Sequence, residues 1–287
     1  MKQLIIDSVN QFVIQSEFNR MVNTNSPYYD QPLVKFAAAH DPLFEEYKQI
    51  IGPFHLTPRE AFEMEYGKGS FHEGTVISVV LPISEAIRKS NRVQKEFASK
   101  EWALLRTFGD EFFIDSLSNH IVNLLKNSGF KSLDPSRSEQ FKIFAKTEVG
   151  IASNWSERHV AYVAGQGSFS LNDGFISEKG MAVRMMSVVT DAILPTDVRP
   201  AKHHTENCLF CNNGTCGACI KRCPAGAITK KGHDKYKCYE FTYSEEGRQR
   251  AVAWGCEYQY GSGCGLCQTK VPCEFNNPVL NAKSQFQ

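Results

Sequence analysis

The chemistry legible in this 287-residue sequence rests on ten cysteines, all of them between Cys208 and Cys273. The segment NCLFCNNGTCGACIKRCPAGAI holds Cys216-x2-Cys219-x3-Cys223-Pro224, with Cys208 and Cys211 just ahead of it. A lone Cys238 follows, then Cys256, then a second group, Cys264-x2-Cys267-x5-Cys273. Closely spaced thiolates can wrap one cubane [4Fe–4S] cluster, while the last cysteine of such a run points to a second cluster. Two cubanes need eight thiolates, and ten are present. Structural zinc also uses C-x2-C pairs, but two four-cysteine zinc sites do not require the C-x2-C-x3-C-P run. A disulfide framework would normally tie a whole exported chain together, whereas the first 207 residues here contain no cysteine. The spacing favours iron–sulfur.

The rest of the composition narrows the setting. Hydrophobic residues make up 42% and charged residues 22%, which are globular values. Lys plus Arg number 32 against 31 acids, for a net charge of +1. That balance gives no reason to propose nucleic acid or an anionic membrane as the main partner. No apolar run approaches the roughly 18 residues of a membrane span. The opening stretch, MKQLIIDSVNQFVIQSEF, is interrupted by Asp7 and lacks a small-residue cleavage site. It does not read as a signal peptide, and a cytoplasmic location is expected.

The cysteine-free part must supply a scaffold. Leu4, Ile5, Val9, Phe12, Val13 and Phe18 predict an amphipathic helix over 2–23. LVKFAAAHDPLFEEYKQII reads as more helix, broken near Asp41-Pro42. Thr57-Pro58 is a helix start. TVISVVLPI at 75–83 reads as a buried strand, and 84–126 as two helices broken near Thr107–Gly109. Phe141–Thr147 and Ala182–Thr190 are the other strand candidates. The predicted fold is an α+β or α/β body, helices covering a small mixed sheet, over 1–199. A ferredoxin-like two-cluster domain over 200–287 follows, entered through the linker LPTDVRPAKHHTEN.

The tail resembles the ferredoxin-like domain of epoxyqueuosine reductases and of the related corrinoid-dependent reductive dehalogenases. The resemblance runs upstream through ERHVAYVAGQGSFSLNDGFISEKGMAVRMMSVVTDAILP and covers roughly residues 150–280. That stretch is similar to the family's glutamate–alanine helix, its glycine turn (Gly165-Gln166-Gly167) and a strand ending in Thr190-Asp191. In the family, the first cysteines of the run join the last cysteine of the tail around one cluster, while the fourth joins an isolated cysteine and the C-x2-C pair. Carried over, this implies Cys216, Cys219 and Cys273 for cluster one, and Cys223, Cys238, Cys264 and Cys267 for cluster two. The remaining ligand of cluster one is Cys208 or Cys211, since the family's spacing would put it at Asn213. Cys208 is favoured because Asn-Cys-Leu-Phe resembles the start of the segment in shorter relatives. Cys211 and Cys256 are then spare thiols.

The resemblance implies two [4Fe–4S] clusters and an oxidoreductase that moves electrons to a substrate or to cobalamin in the body. It also implies a ferredoxin- or flavodoxin-type electron donor, a small-molecule, corrinoid or protein acceptor, and no membrane. Nucleic acid enters only as a tRNA substrate. The family's proton-donor aspartate, just ahead of the ER-x-x-A helix, has no counterpart in GIASNWSER before Glu157, and Ser168-Phe169 replaces the Trp after the glycine turn. The alternative is therefore a non-catalytic electron carrier or reductive activator that docks a partner protein. Gly165, Gly167 and Phe169 are the candidate cofactor-binding residues, because the family holds its corrinoid largely by backbone and shape. Read without that resemblance, the glycine turn is only a tight turn. Glu157, Arg158 and His159 could line a pocket or simply begin a helix. Tyr28, Tyr29, Tyr66 and His72 could touch substrate or merely pack, and His203 and His204 read as linker. Lys230-Lys231 could dock an acidic donor or be plain surface. Because Cys208 leaves the linker directly, cluster one is expected nearer the body, with electrons entering at cluster two and leaving through cluster one towards Gly165–Phe169.

Overall fold

The structure, a computed structural model, describes residues 1–22 and 24–280. Its centre is an antiparallel sheet of four strands, β1 (Leu33–Ala38), β2 (Thr75–Pro82), β3 (Ser132–Leu133) and β4 (Val183–Thr190), in the order β1-β2-β4-β3. Phe36 lies opposite Ile77, Val79 opposite Met186, and Ser132 opposite Thr190. Every residue of β2 is buried, as its run of branched apolar residues requires. Alternate residues feed different cores. Ile77, Val79, Leu81, Met186 and Val188 face α1 (Lys2–Gln15), α4 (Glu85–Arg92) and α6 (Ile114–Asn127). Val76 and Val189 face α2 (Leu43–Ile50), α3 (Pro58–Tyr66) and α7 (Glu157–Val163). Helices on both faces mimic an α/β pattern in the sequence. The strands are antiparallel, so α+β is the class observed and the sheet is not mixed.

Three local expectations change. Leu33–Ala38 is a strand although its spacing suits a helix, because it pairs along the open edge of β2 and the linker then binds its other side. Asp197 accepts the Phe36 amide at 2.9 Å and donates its own amide to the Phe36 carbonyl at 2.8 Å. Within 141–147 only Ile143–Phe144 is strand, in a separate pair with Ala152–Ser153; Ile143 is 68% exposed and has no core to enter. The helix of 84–126 breaks at 93–99 instead, then runs unbroken through α5 (Lys100–Leu104), a π-helical stretch (Leu105–Phe113) and α6. The predicted break at Thr107–Gly109 is thus a wide turn. A β-carbon on Gly109 would meet Leu105 at 2.6 Å and the Tyr29 ring, which packs there. Thr57 forms the expected cap: its hydroxyl accepts the Glu60 amide and Glu60 accepts the Thr57 amide. Among the described residues no helix is long and apolar enough to cross a membrane.

Candidate functional site

Short elements carry the cysteines. Cys208 is the N-cap residue of α8 (Leu209–Asn213), and Cys219 lies in α9 (Ala218–Arg222), which Cys223 ends. Cys238 lies in α10 (Lys235–Thr242), whose first turn is capped by Asp234 through the Tyr236 and Lys237 amides. Helix α11 (Glu245–Ala253) then returns the chain to the body, and a single turn at Leu266–Gln268 holds Cys267. Helices this short have little stability of their own, so their positions depend on what they pack against.

The thiols gather in two places. Burial pushes the Cys273 thiol up, and its neighbouring thiols Cys208, Cys219 and Cys216 push it further. Cys219 rises to about 11, through burial and then Cys208 and Cys216. Cys211 rises to about 12, through burial and then Cys208. In the second place, burial raises Cys267, followed by Cys264, Cys238 and Cys223. Cys264 rises to about 11, through burial against the Leu266 amide, with Cys238 and Cys223 adding to it. Cys238 moves the other way, because His233 hydrogen-bonds its sulfur. The Ala227 amide donates to Cys223 Sγ at 3.3 Å. Cys256 joins neither group; it is buried in the body core with Ala251. Among the described residues no three Cys, His, Asp or Glu side chains gather tightly enough for a single metal ion.

The body holds both groups. Trp102, 1% exposed, lies flat against the loop of Cys264: a β-carbon on Gly265 would fall 2.0 Å from its ring. Asn91 donates to the Cys264 carbonyl and to Thr269 Oγ1, both at 3.2 Å. Arg222, beside Cys223, donates to the Leu266, Thr269 and Gln94 carbonyls. At the first group the Met181 amide donates to the Cys273 carbonyl at 2.7 Å and the Ala182 amide to that of Glu274 at 3.0 Å. The Glu274 carboxylate, 2% exposed, takes Arg92 at 2.8 and 2.9 Å. None of Trp102, Asn91, Arg92 or Glu274 stands out in sequence, since each is defined only by a distant partner.

Arg158 borders the second group. It lies at the surface, its pKa is lowered by the surrounding protein, and its titratable neighbours are Asp173, Arg184, Cys267 and Cys238. Asp173 bonds His233 Nδ1 at 3.1 Å, tying this surface to α10. Lys235 donates to the Val149 and Ile151 carbonyls at 2.7 and 3.3 Å. It thereby fixes the turn carrying Glu148, the first carboxylate upstream of Glu157 and exposed. Asp173, His233 and Lys235 are the residues that sequence reading missed.

The other candidates fall elsewhere. A β-carbon on Gly165 would strike the Val198 carbonyl at 2.4 Å, and one on Gly167 the Ile176 carbonyl at 2.1 Å, so close backbone packing accounts for both glycines. Phe169 packs against His159, with ring centroids 4.7 Å apart. Tyr28 and Tyr29 are core, the Tyr66 hydroxyl donates to the Ser132 carbonyl, and His72, His203 and His204 are exposed. The sequence predicts the first group nearer the body; both groups touch it, the first through the Met181 and Ala182 amides and the second through Trp102 and Asn91. Two surface hollows of about 400 and 530 Å³ lie at the 93–100 loop and between α1 and α6, with no cysteine in either lining.

No protein-family model and no curated protein matches the sequence. Solved structures do. An epoxyqueuosine reductase aligns with a TM-score of 0.54 at 16% identity, covering 95% of this chain and 65% of that one. The chain has the epoxyqueuosine reductase fold. The enzyme from Bacillus subtilis, solved with its catalytic loop swung out of the active site, aligns at 0.50 and 17% identity over the same shares. A catabolic reductive dehalogenase in complex with 3-bromo-4-hydroxybenzoic acid aligns at 0.50 and 14%, covering 98% of this chain and 37% of that one. The chain therefore spans about two thirds of the length of the epoxyqueuosine reductases it matches. The epoxyqueuosine reductase likeness takes in nearly the whole chain, including the body where sequence resemblance was loose.

Proposed function

We propose that this protein is an iron–sulfur oxidoreductase that passes electrons through two [4Fe–4S] clusters to a substrate or corrinoid held by the body beside Arg158. The observation carrying this reading is the gathering of the thiols into two groups. Cys208, Cys216, Cys219 and Cys273 form one, with Cys211 beside them, and Cys223, Cys238, Cys264 and Cys267 form the other. The donor set fits. Each group offers four thiols, the donor type and number that a cubane takes. When bound, each cluster supplies one-electron transfer.

The chain's own residues set the direction. Cys211 of the first group is exposed, so electrons enter there from a small donor protein, and they leave through the second group beside Arg158. This reverses the order expected from sequence. Arg158 offers positive charge to an anionic substrate or cofactor edge, and the Lys235 bonds hold the 147–151 turn. The carrier reading is favoured by the lack of any carboxylate within GIASNWSER ahead of Glu157. Anaerobic purification followed by iron assay and absorption spectroscopy separates the readings. Broad brown absorption with about eight irons per chain is expected; about four irons after full reconstitution, or zinc in their place, refutes the two-cluster reading. Corrinoid bands that shift when cobalamin is added support catalysis in the body. Their absence favours the carrier.

A further inference from the structure

The first thiol group holds five cysteines where a cubane takes four, while the second holds four. The fifth is no bystander by position. Cys208 caps α8 and Cys211 lies three residues on, where helical geometry puts the two on one face. The Asn212 amide donates to the Cys208 carbonyl at 2.8 Å, closing that turn. The two thiols are direct neighbours, and Cys211 also neighbours Cys219. They differ in setting. Cys208 is 8% exposed and packs with Leu171, Ile176 and Met181, whereas Cys211 faces solvent.

We propose that Cys208 and Cys211 are alternative ligands of the same iron, giving the first cluster a buried form and a surface form. This rests on the two-cluster reading above. The exchange is redox-neutral: the iron bond to Cys208 Sγ breaks, one to Cys211 Sγ forms, and the proton released by Cys211 is taken up at Cys208. One turn of helix separates the two, so no long movement of chain is needed. Reduction adds negative charge to a cluster already anionic with four thiolates. Solvent around an exposed ligand stabilises that charge, so the Cys211-held form has the higher potential. The pair thus sets how readily electrons enter at the surface.

The test uses the full-length holoprotein, reconstituted anaerobically. Wild type without iron would end the two-cluster reading itself; the following outcomes start from a wild type with about eight irons. Cys211→Ala and Cys208→Ala should each keep about eight, and the double variant about four. The reduced electron paramagnetic resonance signal of the first cluster in Cys208→Ala should titrate at a more positive potential than in Cys211→Ala. A fall to about four irons in Cys208→Ala alone, or equal potentials in the two variants, overturns the proposal. If Cys208→Ala does not fold, Cys208→Ser made with and without Cys211→Ala gives the same comparison. Iron lost only when both are changed supports exchange, and equal iron with and without Cys211 overturns it.

Discussion

Cys256 packs in the body core beside Ala251, with Thr107 and Tyr28 close by. Cys256→Ser should therefore leave iron at about eight per chain while lowering stability by about 1–2 kcal/mol, the cost of a buried hydroxyl. Iron assay and urea unfolding check the two halves of that statement separately. Glu157 behaves differently. Both its carboxylate oxygens are buried without a hydrogen-bond partner, as is one oxygen of Asp134. Burial first, and the Asp134 carboxyl second, push Glu157 up to about 8 from 4.5, and the two titrate as a pair. A carboxyl raised in the folded state holds its proton there after the unfolded chain has lost it. Stability is thus fullest below about 4.5 and declines as pH climbs towards about 8. Glu157→Gln should flatten that decline. Urea unfolding at about pH 5 and about pH 8, read by tryptophan fluorescence, measures the slope in each protein. A slope unchanged in the variant would assign the proton elsewhere.

At the scale of elements, the capping box on α3 allows a clean test. Thr57→Ala removes the hydroxyl that accepts the Glu60 amide and should cost about 1 kcal/mol. Because α3 lies far from the thiols in sequence and packs in the other core, bound iron should not change. This cap was legible from Thr57-Pro58 alone, since its chemistry is local. So was β2, where an unbroken branched run has no solvent-facing side to betray. Leu33–Ala38 was not: its spacing suits a helix, and only the edge of β2, forty residues away, makes it a strand. The two thiol groups were legible because the cysteine spacing stands in the sequence before any fold is known. Their wall was not, since Asp173 meets His233 across sixty residues and Trp102 meets Gly265 across more than 160. Nothing local marks either pair.

Over the whole molecule, the tail is fastened to the body by a few buried polar contacts. Arg92→Ala leaves the Glu274 carboxylate short of its closest cation and should destabilise by about 2–3 kcal/mol. Arg88 at 3.7 Å and the Lys270 amide at 2.7 Å are the contacts that stay. Each thiol group joins segments on both sides of α10 and α11, so under the two-cluster reading iron would crosslink the tail much as a disulfide does. Iron removal should abolish amide protection from about 205 to 243 and around 262–273, while β1 to β4 keep theirs. The stretch near Ala251 and Cys256, seated in the body core, should stay protected as well. Hydrogen exchange on apo and holo protein measures this, and uniform loss along the chain would contradict it.

The interlocked order of the thiols also bears on how the protein is made. Under the two-cluster reading, ligands emerge from the ribosome in sequence order, so all four cysteines of the second group are available once Cys267 has been translated. The first group must wait for Cys273, although its earliest member precedes every thiol of the second. Until then Cys208, Cys216 and Cys219 form an incomplete set with Cys211 beside them. The carbonyls of Cys273 and Glu274 dock on the amides of Met181 and Ala182 just ahead of β4. Completion of the first group is thus coupled to docking of the tail on the body at the edge of β4.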